Sequence, residues 1–171
     1  AGAIVTDDEE IAKAMRVYRN YGSEKRYYNM VVGANSRLDE LQAGLLRVKL
    51  SHLNELTEER GQLAETYLKN IKNEKIILPK VREKCSHVWH QFVIRCEKRD
   101  ELIQYLEEKG IGTIIHYPIP PHLSEAYKYL GFQKGDYPKT EEYADTILSL
   151  PMYNGMTNDE IQRVIRVLNE F

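Results

Sequence analysis

The chain has 171 residues, enough for one substantial domain or a small domain with an attached arm. Its 24 Lys+Arg and 26 Asp+Glu leave a formal net charge of −2, so no global field draws it to nucleic acid or to a membrane surface. Two cysteines, Cys85 and Cys96, are too few for a disulfide framework, and a cytoplasmic setting is expected.

No run approaches 18 apolar residues, and acidic residues follow the first positions too soon for a signal peptide. Tyrosine is heavily used, with 12 Tyr against 3 Phe and 1 Trp, which suits surfaces that are half apolar and half wet.

In chain order, residues 3–5 form an apolar run that predicts a strand. Asp7 and Asp8 are helix-start signals, with Glu10 three residues after Asp7 as in a capping box, and a helix is expected over 8–19. Residues 20–34 mix Asn, Gly and Tyr without periodicity and read as a loop. From Ser36, Leu38, Leu41, Leu45, Val48, Leu53, Leu56, Leu63 and Tyr67 keep one apolar stripe, which predicts a long helix with a kink signal at Ser51-His52. A short strand over 76–78 closes it before Pro79.

The remainder alternates. Strands are predicted over 88–95 and 113–117, and helices over 99–109, 123–130, 139–148 and 157–170. Gly110 ends the first of these helices and Thr157 with Glu160 begins the last. The order argues for a compact α+β domain over 74–171.

Three segments carry candidate chemistry. His116-Tyr117-Pro118-Ile119-Pro120-Pro121-His122 sets two imidazoles and a phenol on a segment stiffened by three prolines, as a preorganised binding loop requires. A plain structural turn explains the composition equally well. A metal reading is weaker, because no carboxylate or cysteine lies at ligand spacing to His116 and His122, and His87 and His90 would point to opposite faces of a strand.

In the second segment, GANSRLDELQA over 33–43, Asn35 or Ser36 reads as an N-cap. The amides of that helix end, with the Asn35 side chain, could hold a phosphate; an ordinary helix start is the simpler account. In the third, Lys25-Arg26-Tyr27-Tyr28, paired cations and rings suit a nucleotide diphosphate, although a solvated loop has the same composition. Cys85 and Cys96 have no neighbour in sequence that would lower a thiol pKa.

Taken in order, GAIVTDDEEIA, RNYGSEKRYYN, GANSRLDELQAGLLRVKL, HVWHQFVIR, GIGTIIHYPIPPH and LSLPMYNGMTNDEI resemble the DegT/DnrJ/EryC1/StrS family of sugar aminotransferases across essentially the whole chain. The doubled proline is most similar to members acting at C-3 of dTDP-linked 3-keto-6-deoxyhexoses.

The resemblance implies the carboxy-terminal part of a fold type I, aspartate-aminotransferase-like protein, of class α+β / α/β. Residues 1–35 would be the tail of the large cofactor domain, 36–73 a long interdomain helix, and 74–171 a small domain with a short antiparallel sheet. It implies pyridoxal phosphate as cofactor, a sugar nucleotide and glutamate as substrates, and a homodimer with shared active sites.

Residue by residue, it implies that Asn35 reaches the cofactor phosphate of the partner subunit, that His116 and Tyr117 lie beside the sugar, and that Arg26 approaches the substrate diphosphate. The family's cofactor-holding lysine would lie a few residues before Ala1; Lys13 and Lys25 do not replace it, and no catalytic residue is expected within the chain. A non-catalytic sugar-nucleotide-binding module, or a dimerisation module, remains the alternative.

Overall fold

The structure, a computed structural model, describes residues 2–171. The chain forms two compact units that divide between Leu53 and Asn54. The division falls inside the stretch whose apolar stripe predicts one long helix.

In the first unit, helix α1 spans Glu9–Tyr18. Asp8 is its N-cap, the carboxylate accepting from the amides of Glu10 and Ile11. The expected strand at 3–5 does not form: those residues are exposed and unpaired in secondary structure, because a strand needs a ladder partner and the described residues offer none there.

The expected loop over 20–34 contains a hairpin, β1 (Ser23–Lys25) and β2 (Tyr28–Asn29), paired antiparallel with an irregular register. Helix α2 covers Glu40–Ser51. Its N-cap is Asp39, whose carboxylate accepts from Leu41 N–H, so the start expected at Asn35 or Ser36 lies several residues too early. The reason is local: residues 34–36 run against the end of α1, with Tyr21 N–H bonded to Ala34 O and Ser36 N–H to Arg19 O, and this backbone is unavailable to a helix. No residue of α1 or α2 is buried.

Helix α3 (Leu53–Asn70) follows α2 after a break at His52, so the kink signal marks a true interruption of the expected single helix. In the second unit, β3 (Phe92–Arg95) and β4 (Ile147–Leu150) form an antiparallel pair, Val93 opposite Ser149. Single bridges add Ile77 beside Arg95 and Ile114 beside Ser149, so the predicted strands at 76–78 and 113–117 shrink to one pairing each.

The strand expected from Val88 begins only at Phe92, because Trp89 takes a positive φ of 50°. Helix α4 (Arg99–Glu108) ends at Gly110, whose φ of +70° suits the left-handed position past a helix end. The helix expected over 123–130 is a pair of 3₁₀ turns. The one expected over 139–148 divides into α5 (Pro138–Thr146) and β4. Helix α6 (Asn158–Glu170) starts at the expected Thr157–Glu160 capping box.

Helices α3, α4 and α6 close one core over this sheet. Buried positions follow helical spacing, Leu63/Ala64/Tyr67 on α3, Leu102/Leu106 on α4, and Val164/Ile165/Val167/Leu168 on α6, and they enclose Phe92, Ile94 and Leu148. Burying side chains of this size stabilises by roughly 1.5–3 kcal/mol each before entropy is counted. Among the described residues no helix is long and apolar enough to cross a membrane.

Candidate functional site

The proline-rich segment leaves the sheet at Ile114, whose N–H and C=O pair with Ser149 on β4. Two residues on, the His116 ring turns back so that Nδ1 lies 2.9 Å from Ser149 Oγ. Tyr117 follows through a cis peptide bond and is exposed, its ring edge-on to His116 at 5.7 Å between centroids. His116 and Ser149 line a cleft of about 350 Å³ with His90, Gln91, Thr113 and Met152.

The far end of the segment is anchored separately. Pro121 opens a 3₁₀ turn that buries His122, and His122 Nε2 meets Glu141 Oε1 at 3.0 Å. Glu141 also accepts from Gly135 N–H at 2.8 Å and from Tyr137 N–H at 3.3 Å. Burial pushes its carboxyl pKa up, but the hydrogen bonds from Gly135, His122 and Tyr137 outweigh that and hold it below the ordinary carboxylate range. A second, mostly apolar cavity of about 390 Å³ lies beside this anchor, lined by His122, Tyr127, Phe132 and Tyr137.

The two histidines of the segment therefore have separate partners, Ser149 and Glu141, and do not converge on one point. Among the described residues no three His, Cys, Asp or Glu side chains gather in a way that could hold a metal ion.

In the first unit, Arg26 and Tyr27 form the tip of the β1–β2 hairpin, with the guanidinium 4.8 Å from the Tyr27 ring centroid. Lys25 lies 5.0 Å from the Tyr28 ring centroid, giving an exposed basic-aromatic tip. Asn35 is exposed, its backbone bridged to Asn20 and its Oδ1 accepting from Arg37 Nε at 3.1 Å. With the carbonyl oxygen so held, the amide of Asn35 and the guanidinium of Arg37 are donor groups of the kind a phosphate requires. The amides at the start of α2 are not part of this arrangement, because Asp39 puts a carboxylate there.

The close approach of this loop depends on two glycines. A Cβ on Gly33 would lie 2.1 Å from Gly22 N, and one on Gly22 would lie 1.8 Å from Val31 O.

Sequence reasoning missed Ser149, Glu141 and Arg37. The signal for Ser149 was a polar residue between two leucines just past the expected helix, in what the structure shows to be a buried strand. Glu141 had none, since a glutamate near a helix start reads as a solvated residue.

The family model for the DegT/DnrJ/EryC1/StrS aminotransferase family matches residues 1–169. A dTDP-3-amino-3,6-dideoxy-alpha-D-galactopyranose transaminase from Aneurinibacillus thermoaerophilus is 45% identical over 170 residues, 99% of this chain and 46% of that protein. The chain thus spans about half the length of such curated relatives.

The crystal structure of S. venezuelae DesV in complex with a ketimine intermediate superimposes with a TM-score of 0.93 at 41% identity, covering 97% of this chain and 45% of that one. NtdA from Bacillus subtilis with bound cofactor PMP gives a TM-score of 0.85 at 30% identity, covering 96% and 40%. This protein belongs to the DegT/DnrJ/EryC1/StrS aminotransferase family.

Proposed function

We propose that this chain is the carboxy-terminal part of a pyridoxal-phosphate-dependent aminotransferase that turns a keto sugar nucleotide into the amino sugar nucleotide, with glutamate as donor. The favoured substrate is a dTDP-linked 3-keto-6-deoxyhexose. The observation that carries the reading is the likeness of 99% of the chain, at 45% identity, to a transaminase of a dTDP-linked 3-amino sugar. The preformed His116–Tyr117 segment, fixed at one end by Ser149 and at the other by Glu141, supports it.

In this reading His116 and Tyr117 orient the sugar, Arg26 meets the diphosphate, and Asn35 holds the cofactor phosphate, the last two across a homodimer interface. Bound pyridoxal phosphate would supply the amino-group carrier. In this reading no residue of the chain holds it, and the lysine that does so would lie outside these 171 residues.

The test is an assay of the longer protein with pyridoxal phosphate, glutamate and 3-keto or 4-keto dTDP-sugars. The expected result is 2-oxoglutarate and the 3-amino sugar nucleotide in equal amounts. A strong preference for the 4-keto sugar would overturn the C-3 assignment, and turnover by the 171-residue chain alone would overturn the placement of the lysine.

A further inference from the structure

We propose that Ser149 is a positioning residue that fixes the His116 imidazole as its Nε2–H tautomer, so that the ring offers a hydrogen-bond donor to a bound oxygen. That this oxygen belongs to a keto sugar rests on the function proposed above; the tautomer does not.

The argument starts from burial. Ser149 is 6% exposed on β4 between Leu148 and Leu150, both buried. A hydroxyl placed among such neighbours costs free energy unless it is hydrogen-bonded. Its backbone is already committed, because Ser149 N–H donates to Ile114 O at 2.8 Å and Ser149 O accepts from Ile114 N–H at 3.3 Å. The hydroxyl itself meets His116 Nδ1 at 2.9 Å.

A serine hydroxyl has one proton to place, and a neutral imidazole has one bare nitrogen to receive it. When Oγ–H donates to Nδ1, both requirements are met in a single contact and the ring proton sits on Nε2. In the reverse arrangement Nδ1–H donates to Oγ. The buried hydroxyl proton must then find another acceptor, and among the described residues Ser149 Oγ has no hydrogen-bond partner besides His116. The first arrangement wins, since the hydrogen bond at one ring nitrogen sets the state of the other.

The consequence is chemical. His116 is half-buried at the cleft it shares with Ser149, and an Nε2–H there favours a carbonyl or hydroxyl oxygen over a donor such as an ammonium.

The test uses the 171-residue chain with ¹⁵N-labelled histidine, observed at alkaline pH by two-bond ¹H–¹⁵N correlation. His116→Gln assigns the signals among the five histidines. The wild-type ring is expected to show the widely separated Nδ1 and Nε2 shifts of a single Nε2–H tautomer. Ser149→Ala should bring them together towards the averaged values of free histidine, and Ser149→Thr should restore the separation.

Averaged shifts or an Nδ1–H pattern in the wild type would overturn the proposal, as would an unchanged separation in Ser149→Ala. The wild-type measurement decides even if a variant fails to fold. Because neither cofactor nor sugar is present, this result and that of the transamination assay can fail independently.

Discussion

His122 Nε2 and Glu141 Oε1 lie 3.0 Å apart in a buried contact that ties the end of the proline-rich segment to helix α5. The carboxylate also gathers the amides of Gly135 and Tyr137, so one side chain closes a turn and holds a loop. Removing it strands three donors together, a loss of the kind that exceeds that of any one bond.

Glu141→Ala is therefore expected to lower the melting temperature well beyond the change caused by Glu101→Ala. Glu101 makes only an exposed pair with Lys98, worth little in water. Thermal unfolding of the two variants at neutral pH measures the difference.

The same carboxylate makes stability depend on acid. Its folded pKa is depressed, so its contribution is complete above the ordinary carboxylate range and is lost as pH falls through that range towards the folded value. Glu59 acts in the same direction, held low first by Gly155 N–H and then by Asn154. Unfolding followed from neutral pH downward should show the loss, and Glu141→Gln should flatten that part of the curve.

Tyr67 sets the opposite limit. It is fully buried, its hydroxyl donates to Pro151 O at 3.0 Å, and burial pushes the phenol pKa well up, with the nearby Tyr153 adding to the rise. The neutral phenol is the form the fold accepts, so its contribution is complete below the ordinary tyrosine range and is lost as pH rises through the folded value. Tyr67→Phe should cost about 1–2 kcal/mol in urea unfolding at neutral pH, since the half-buried Pro151 carbonyl loses its donor. It should also remove part of the alkaline instability.

How much was legible in the sequence follows from the range of each interaction. The Thr157–Glu160 capping box and the end of α4 at Gly110 are set by residues three or four apart, and both stand where the sequence puts them. The His116–Ser149 and His122–Glu141 contacts span 33 and 19 residues, and no local pattern announces them. Residues 147 and 148 read as the end of a helix, and only pairing with β3 makes Ile147–Leu150 a strand. Asn35 could have capped a helix by type, but its neighbours Ala34 and Ser36 are bonded to Tyr21 and Arg19 at the end of α1, so Asp39 takes that place. What the sequence carried well was the ordered set of motifs; what it hid was which side chain holds which.

Gly33 and Gly22 give a local test of the Asn35 loop. A methyl on Gly33 meets backbone on every side, with Gly22 N at 2.1 Å and Tyr18 O at 2.6 Å. Gly33→Ala must push residues 33–36 away from the end of α1, which breaks the Tyr21–Ala34 and Ser36–Arg19 hydrogen bonds. Amide hydrogen exchange should rise at Tyr21 and Ser36 while the amides of β3 and β4 keep their protection. Unchanged exchange at Tyr21 and Ser36 would contradict the packing described for this loop.

Arg26 allows the substrate reading to be tested by the form of a kinetic change. Its guanidinium stands at the exposed hairpin tip beside Tyr27. A diphosphate held there is the same group before and during the reaction, so the contact would stabilise ground and transition states alike. Arg26→Ala in the longer protein should therefore raise KM for the keto sugar nucleotide about tenfold, roughly 1.4 kcal/mol, and leave kcat unchanged. Arg26→Lys should recover part of the loss, because a point charge replaces a planar fork. A fall in kcat with KM unaltered would place Arg26 at the reacting carbon instead and would refute the diphosphate assignment.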